Sequence, residues 1–369
     1  MTVAEVAEVT RAANRPNQLV NAFENYQRIK QMFREGVPCL SMIHLPQGMP
    51  MMIVGGGPSL DDLLPKLKGW TGGMICTPQT WPSLKAHGII PNFVFAMDPS
   101  IEDVYPLDGE GDQWTTLVTH PSIHPKMFDA WKGTIALMRV NFEDPEEDTA
   151  FDMAYQTMIR AKVGAQGNVA NMAFQCTRQW GCNPVVFAGV DLACIEGKDH
   201  ADYYENLGAY KYKPRPFLMA SSNKSVMVPL PNPDERGLKV DDVNQFYSVL
   251  MLAMWKQVPE QRVYSISEGI NPFPKISIED CMAGKWPPPM ARDEIFKFVD
   301  ERTIPHGVYG RFRDGKPERM EFANEVLKDA AIGKARIEAG MQPTAQQQES
   351  IEIAKLWHKV GDDWHRSVA

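Results

Sequence analysis

Short apolar runs alternate with segments of helical periodicity from about residue 50 to residue 285. Seven runs have the length and apolar content of strands, at residues 51–54, 73–77, 92–97, 115–119, 135–140, 184–189 and 262–265. Five helical segments lie at residues 60–67, 79–87, 125–131, 168–180 and 241–256. Strands separated by helices run parallel, and strands that are apolar almost throughout fit a sheet covered on both faces. The pattern predicts an α/β fold with a doubly wound, mostly parallel sheet.

The segments on either side of this region differ from it in composition. Residues 1–17 are polar and predict a flexible N-terminus, whereas residues 18–49 hold an amphipathic helix and a connector. Three consecutive prolines at residues 287–289 form a stiff, extended segment and mark a boundary. The sequence thus predicts a central domain at residues 50–285 and an α-helical C-terminal extension at residues 290–369, which packs on the core or on a second copy of the chain.

A glycine-rich turn follows the first predicted strand and precedes a helical pattern. Its residues are Gly55, Gly56, Gly57, Pro58 and Ser59. Glycine lets the backbone approach a ligand closely, and the free N–H groups of a helix N-terminus suit a phosphate or carboxylate. The turn lacks the lysine of one standard phosphate loop and the glycine spacing of the other. It indicates either an anionic ligand or a tight strand–helix connection.

Small and polar residues follow several other predicted strands, at the end where doubly wound sheets bind their ligands. They are Thr77 and Gln79 after the second strand, Asp98 after the third, Gly189 and Asp191 after the sixth, and Ser267, Glu268 and Gly269 after the last. Gly167 and Asn168 open the long helix before the sixth strand, which is a second glycine-rich helix start. Together these positions predict a cleft for a nucleotide or another small molecule.

Composition and charge narrow the classes of function. The 369 residues carry a net charge of −8, whereas nucleic-acid-binding proteins usually present a basic face, so we expect no nucleic-acid partner. No apolar run reaches the length of a membrane helix, and the first residues lack the basic start and apolar core of a signal peptide. We therefore expect a cytoplasmic protein without a membrane partner. The six cysteines form no C-x-x-C pair, which favours reduced thiols.

Six sequence blocks, in order along the chain, resemble the MptE-like family, once called DUF115. The blocks are Gly55-Gly56-Gly57-Pro58-Ser59-Leu60, Gly88-Ile89-Ile90-Pro91-Asn92 before Asp98, Gly167-Asn168-Val169, Phe187-Ala188-Gly189-Val190-Asp191-Leu192, His200-Ala201 and Ser265-Ile266-Ser267-Glu268-Gly269. That family includes archaeal 6-hydroxymethylpterin diphosphokinases and the motility-associated (Maf) glycosyltransferases that attach nonulosonic acids to flagellins. The resemblance covers about residues 50–285 and implies a Rossmann-like fold.

The glycine-rich turn and the Gly189-Val190-Asp191 motif also resemble bacterial CMP-sialic acid-dependent sialyltransferases. The resemblances imply a nucleotide-dependent transferase. Its expected donor is a CMP-activated sugar of the nonulosonic or sialic acid type, and its acceptor is a small molecule, a protein or a glycan. No Asp-x-Asp motif follows a core strand, which favours transfer without a metal ion. Sialyltransferases place a histidine base where residues 228–241 contain none, so their mechanism is not carried over.

The resemblance implies a role for each candidate residue. Gly55, Gly57 and Ser59 are expected to cradle a phosphate, and Gly167 and Asn168 to contact the base, the sugar or a second phosphate. The remaining expected nucleotide-binding residues are Gly56, Pro58, Thr77, Gln79, Gly189, Asp191, Ser267, Glu268 and Gly269.

The expected catalytic residues are Asp98, Asp191 and His200. The two aspartates are expected to hold ribose hydroxyls or a magnesium ion. His200 is the expected general acid or base because imidazole titrates near neutral pH. His120 and His124, near the end of the fourth strand, are reserve candidates. The loop at residues 198–215 is rich in lysine and tyrosine and predicts either a lid over the substrate or a solvated insertion.

Two other functions stay open on the sequence. One is an ATP- and magnesium-dependent 6-hydroxymethylpterin diphosphokinase, with Asp98 and Asp191 on the metal ion; magnesium is the expected cofactor for this function alone. The other is a nucleotide- or sugar-binding protein without catalysis. In each case the helical extension is a candidate for homo-oligomer contacts.

Overall fold

The computed structural model describes residues 3–140, 151–164, 168–195, 201, 228–230, 238–240, 242–302, 334, 336–337, 340–348 and 351. Gly167, His200, nearly all of the loop at residues 198–215 and most of the predicted C-terminal extension lie outside these residues. The division of the chain into domains stays a prediction.

Apolar strands alternate with helices along the described chain. The strands are β1 (Met51–Val54), β2 (Gly73–Cys76), β3 (Phe93–Phe95), β4 (Thr116–Thr119), β5 (Thr134–Leu137), β6 (Arg139–Val140), β7 (Lys162–Val163), β8 (Val185–Ala188), β9 (Cys194–Ile195), β10 (Val228–Leu230), β11 (Leu238–Val240) and β12 (Val263–Ser265). Seven of them form one parallel sheet in the order β12-β8-β1-β2-β3-β4-β5. These seven correspond to the seven predicted strands, which confirms the doubly wound α/β fold.

The five helices that the periodicity predicts between residues 60 and 256 form at those places, with shorter ends. The described helices are α1 (Val3–Arg34), α2 (Leu60–Leu63), α3 (Trp81–Ala86), α4 (Met127–Ala130), α5 (Val169–Gln179), α6 (Asp242–Lys256), α7 (Ile278–Met282) and α8 (Arg292–Arg302). α2 gives way to a 3₁₀ turn at Leu64–Lys66, where Pro65 has no N–H to donate. Within the described part of the chain, no helix has both the length and the apolarity to cross a bilayer.

α1 is longer than the sequence pattern predicts. The helix begins at Val3 and not near residue 18, so most of the segment predicted as a flexible N-terminus has helical backbone. Its first half is rich in alanine and glutamate, which favour helix strongly even where no apolar periodicity is present.

Two small sheets lie beside the main one. β6 pairs with β7 in parallel, and β10, β11 and β9 form an antiparallel sheet. The apolar run predicted as one strand at residues 135–140 is therefore divided, because β5 stays in the main sheet and β6 pairs elsewhere. β9, β10 and β11 have only two or three residues each, too few to give a visible pattern in the sequence.

The main sheet is buried on both faces. Met51 and Ile53 of β1 belong to an apolar cluster with α5 and α6, and Met52 and Val54 belong to the opposite cluster with α2 and α3. Alternate side chains of a strand point to opposite faces, which explains why these strands are apolar throughout. Two residues of α8 also lie in the first cluster, so the start of the predicted C-terminal extension packs on the core.

Two buried asparagines attach α1 to the loops that follow β3 and β4. Asn21 Nδ2 donates to Pro99 O at 2.9 Å and to Ser122 O at 3.1 Å. Asn25 Nδ2 donates to the carbonyl oxygens of the residues before and after Ser122, at 2.8 Å each. Residues four apart share one helix face, so four main-chain carbonyls receive their donors from one side of α1.

Replacing Asn25 with alanine should destabilise the fold. The change leaves two buried carbonyl oxygens without donors, and we expect the free energy of unfolding to fall by about 2 kcal/mol. The loss is limited because Asn25 Oδ1 is itself buried with no hydrogen-bond partner among the described residues. Urea unfolding measures the change. Gln27→Ala, at an exposed position of the same helix, is the matched control, and an equal loss there would contradict the expectation.

Candidate functional site

The order of the strands reverses between β1 and β8. From β1 the chain adds β2 to β5 on one side, and then places β8 and β12 on the other. In open α/β sheets, ligands bind at the carboxyl edge of such a switch point. Three loops lie there: the β1 loop at residues 55–59, the β8 loop at residues 189–192 and the β12 loop at residues 266–271. They form the candidate site.

The amide groups of the β1 loop bind other parts of the chain. Gly55 N donates to Ala188 O at 2.9 Å, and Gly57 N donates to Gly189 O at 2.7 Å. Ser59 N donates to Asp191 Oδ2 at 2.7 Å. The family resemblance implies that Gly55, Gly57 and Ser59 cradle a phosphate. The structure corrects that role, because an internal carboxylate and two carbonyls already accept their hydrogens.

Asp191 and Ser59 form a buried clamp between the β1 and β8 loops. Asp191 is 1% exposed and Ser59 is 2% exposed. Besides the amide contact, Ser59 Oγ donates to Asp191 Oδ1 at 2.5 Å. Burial raises the pKa of Asp191, while the two bonds from Ser59 and the charge of Lys275 act in the opposite direction. In this arrangement Asp191 organises the loops and is not available as a ligand for ribose or magnesium.

The glycines of the motif allow the loops to come this close. A Cβ added at Gly57 would lie 2.5 Å from Asp191 Oδ2, and one added at Gly269, whose φ is +63°, would overlap the Asp191 carbonyl oxygen. Leu192 has a φ of 52°, a left-handed conformation that costs a non-glycine residue about 1–2 kcal/mol. Close packing against the neighbouring loop therefore accounts for Gly57 and Gly269 without a ligand.

The β12 loop is bonded to the β8 loop along its length. Ser267 Oγ accepts a hydrogen bond from Val190 N at 2.9 Å. Ile270 N donates to Asp191 O at 2.8 Å, and Asn271 Nδ2 donates to Val190 O at 3.1 Å. The structure thus brings Gly189, Ser267 and Gly269 into one group around Asp191, as their strand-end positions predict.

Lys275 reaches the same group from the segment after the β12 loop. Its Nζ donates to Glu268 O at 3.2 Å and also to Ser267 O. The residue as a whole is exposed, but its ammonium end lies against these carbonyls, and burial of that end lowers its pKa to about 8. The charges of Asp191 and Glu268 oppose the shift. Lys275 is therefore a cation held beside two carboxylates.

Thr77, Gln79 and Asp98 form a separate group. Thr77 N donates to Thr80 Oγ1 at 3.0 Å, Gln79 Nε2 donates to Asp103 Oδ1, and Asp98 N donates to Asp103 Oδ2 at 3.1 Å. This group follows β2 and β3, on the far side of β1 from β8.

Asp98 and Asp191 do not share one ligand in this arrangement. Asp98 Oδ1 accepts from Ser100 N at 2.9 Å, whereas Asp191 is bonded to Ser59. β3 and β8 are separated by β1 and β2, and three strand spacings of about 4.8 Å place the strand ends about 14 Å apart. Magnesium ligands lie about 2 Å from the ion, so the expected pairing of these two aspartates on one magnesium is not formed.

Asn168 caps the helix that it precedes. Its side-chain oxygen accepts a hydrogen bond from Asn171 N at 2.8 Å and so satisfies the first turn of α5.

Gly167 and His200 lie outside the described residues, and their roles stay predictions. Ala201, which follows His200 in the chain, is described: its N–H donates to Gly56 O at 3.1 Å. The chain therefore returns to the β1 loop at residue 201.

His120 is structural. It is 3% exposed, its Nε2 donates to Met97 O at 2.9 Å and its Nδ1 accepts from Ser122 N at 3.2 Å. Burial lowers its pKa, so the ring is neutral and both nitrogens are occupied.

Among the described residues, no group of three or more His, Cys, Asp or Glu side chains is placed to hold a metal ion.

Two features of the site have little signal in the sequence. Lys275 lies ten residues beyond the end of β12, within the apolar run Phe273-Pro274-Lys275-Ile276, where a buried lysine end is unexpected. Asp103, which is 2% exposed, sits in a short 3₁₀ turn after β3 and accepts hydrogens from two neighbouring loops. For Lys275, the one available indication is a charged residue between the apolar neighbours Pro274 and Ile276. Asp103 directly follows Glu102 and gives no such indication.

The strand order and the converging loops define a Rossmann-like α/β protein with its candidate site at the switch point. The family described as 6-hydroxymethylpterin diphosphokinase MptE-like matches residues 17–197. Over these residues, just under half of the chain, the sequence matches the MptE-like family, which confirms the resemblance seen in the motifs.

The solved structures include a similar one, titled MAf glycosyltransferase from Magnetospirillum magneticum AMB-1. The two chains are 14% identical, and the TM-score is 0.47. The similarity covers 90% of this chain and 55% of that chain, so this chain spans about half the length of that protein. No curated protein is similar enough to the chain to match it.

The clamp predicts a large coupling between Ser59 and Asp191. Ser59→Ala removes one hydrogen bond, and Asp191→Ala leaves both donors of Ser59 buried without an acceptor, so each should lower the free energy of unfolding, the second by about 2 kcal/mol or more. A double-mutant cycle measured by urea unfolding should give a coupling of about 1–2 kcal/mol. Ser277→Ala, at the cap of α7, is the control and should add to Asp191→Ala. Additive losses for Ser59 and Asp191 would contradict the clamp.

The lowered pKa of Lys275 predicts a pH dependence of stability. Between about pH 8 and the ordinary lysine pKa of 10.5, the unfolded chain keeps a proton that the folded protein has released. The free energy of unfolding of the unaltered protein should therefore rise with pH relative to Lys275→Met. Guanidinium unfolding at pH 7 to 10 measures this, with Lys285→Met as the control. If the difference in free energy of unfolding between the unaltered protein and Lys275→Met stays constant with pH, the Lys275 ammonium is not desolvated.

Proposed function

We propose that the protein is a nucleotide-dependent transferase whose donor binds at the carboxyl edge between β1 and β8. The observation that carries this proposal is the convergence of the β1, β8 and β12 loops at the switch point, around one buried carboxylate. Such an edge is the ligand site of doubly wound sheets. The matching family is described as a diphosphokinase. A diphosphokinase is also a transferase, and the group that it transfers comes from a nucleotide.

A CMP-activated sugar is the donor that the site favours. The charges of Asp191 and Glu268 both raise the pKa of Lys275, so two carboxylates act on one ammonium. Such a group suits a donor with one phosphate better than a nucleoside triphosphate, whose charge needs further neutralisation. The Gly189-Val190-Asp191 motif, which resembles sialyltransferases, supports the same donor. The acceptor is a hydroxyl of a small molecule, a protein or a glycan.

Each group of residues has a distinct part in this proposal. The Ser59–Asp191 clamp holds the β1 loop, so that the half-buried main chain of Gly56 and Gly57 lines the donor site. Thr77, Gln79 and Asp98 lie toward β2 and β3, and their proposed part is to contact the nucleoside or the acceptor. His200 is the proposed base that takes the acceptor proton. Ala201, the next residue in the chain, donates to Gly56 O at this edge.

A magnesium-dependent diphosphokinase is the second candidate, because the matching family carries that description. Asp191 and Asp98 do not lie together, so a magnesium ion would have to be held by Asp98 with the nucleotide phosphates, or by Glu268 on the other side. The ion would neutralise the phosphate charge and orient the transferred group. Location in the cytoplasm, a homo-oligomer formed by the C-terminal extension and a non-catalytic binding role stay predictions.

Nucleotide-induced thermal shifts test the proposal. CMP should raise the melting temperature without a metal ion, whereas ATP should require magnesium if the protein is a diphosphokinase. Cytidine and inorganic phosphate, each alone, are the matched controls, and EDTA removes adventitious metal. A shift with CMP in EDTA favours the glycosyltransferase, and a shift only with magnesium and ATP favours the diphosphokinase. No shift with any nucleotide would refute the transferase proposal.

A further inference from the structure

Lys275 is fixed at the edge of the main sheet beside β12. Lys275 and Ser265 form a parallel bridge, in which Ser265 N donates to Pro274 O at 2.9 Å and Ile276 N donates to Ser265 O at 3.1 Å. Main-chain bonds on both sides of Lys275 therefore hold its backbone at the carboxyl end of β12. This is the edge at which the three loops of the candidate site meet.

The lysine ammonium is oriented and still has a donor to offer. An ammonium carries three N–H groups, and among the described residues two acceptors are bonded to it, the carbonyl oxygens of Ser267 and Glu268. Because both carbonyls belong to the β12 loop, which is bonded to Asp191, the ammonium is held at a fixed place relative to the clamp. Within the part of the chain that the structure describes, no acceptor is bonded to the third N–H.

Three of the four N–H groups of the β1 loop are not available to an anionic donor. The amides of Gly55, Gly57 and Ser59 already have internal acceptors. Asp191 and Glu268 are both close enough to act on Lys275, and they would repel a phosphate if no cation stood between. A phosphate at this edge therefore requires a basic side chain, and the structure places Lys275 there.

We propose that Lys275 binds the phosphate of the nucleotide donor, taking the role that the glycine-rich turn fills in standard phosphate loops. The proposal rests on the proposed function, because it assigns a contact within that nucleotide site. The ligand group is a phosphate monoester or diester next to a nucleoside. The Ser267 and Glu268 carbonyls hold the ammonium, and its remaining N–H donates to a phosphate oxygen.

Calorimetric titration at pH 7 with CMP and with cytidine tests the assignment. If the thermal shifts show that the protein binds ATP with magnesium and not CMP, the titration compares magnesium and ATP with adenosine instead. Lys275→Met removes a charged hydrogen-bond partner of the phosphate, so this variant should bind CMP about tenfold or more weakly than the unaltered protein. Cytidine has no phosphate, and the variant should bind it as the unaltered protein does. Lys275→Arg keeps the charge and should stay within about threefold of the unaltered protein. Lys285→Met, at an exposed lysine after α7, should bind normally, and melting curves at pH 7 verify that each variant is folded.

Each result separates the two proposals. If the unaltered protein binds CMP more tightly than cytidine and Lys275→Met keeps that preference, the role of Lys275 is refuted and the proposed function stands. The same holds if the unaltered protein binds CMP and cytidine equally, because the phosphate is then not recognised. If no nucleotide binds to the unaltered protein, the proposed function itself is refuted, and the assignment falls with it.

Discussion

The arrangement of the carboxyl edge depends on one buried ionisable group. A carboxylate that is removed from water is strongly unfavourable unless donors surround it. Asp191 is 1% exposed, and Ser59 supplies both a main-chain and a side-chain donor to it. To make these bonds, the β1 loop must approach the β8 loop more closely than a side chain at residue 57 would allow. The glycines, the serine and the aspartate are therefore parts of one interaction, which connects residues distant in the sequence.

The sheet was predictable because burial on two faces leaves a clear trace. Each of the seven strands is an apolar run bounded by turn-forming residues, and the crossover helices separate them. The sequence also predicts that the β1 loop is a turn between a strand and a helix, as the structure confirms. The sequence does not reveal which acceptors bind the N–H groups of the β1 loop. A pattern that suits an anion is equally compatible with an external phosphate and with a carboxylate supplied by the chain itself, here Asp191.

Other parts of the site depend on contacts that no local pattern encodes. Asp98 and Asp191 both follow strands, but strand order, which the sequence does not specify, places them on different sides of β1. Lys275 follows its strand by ten residues and returns to it through a bridge with Ser265. The small strands β9 to β11 form through pairing with one another. In each case a tertiary arrangement, and not residue type or periodicity, determines the outcome.

The attachment of α1 has a consequence for how the protein is divided. The four carbonyl groups that Asn21 and Asn25 bind belong to the residues just after Asp98 and His120. The shape of the β3 and β4 loops is thus maintained by a helix that precedes every strand. A shortened chain that starts at β1 would retain the whole sheet and yet present a different surface beside the candidate site. The residues that support the loops at the carboxyl edge therefore include a segment that lies before the sheet in the sequence.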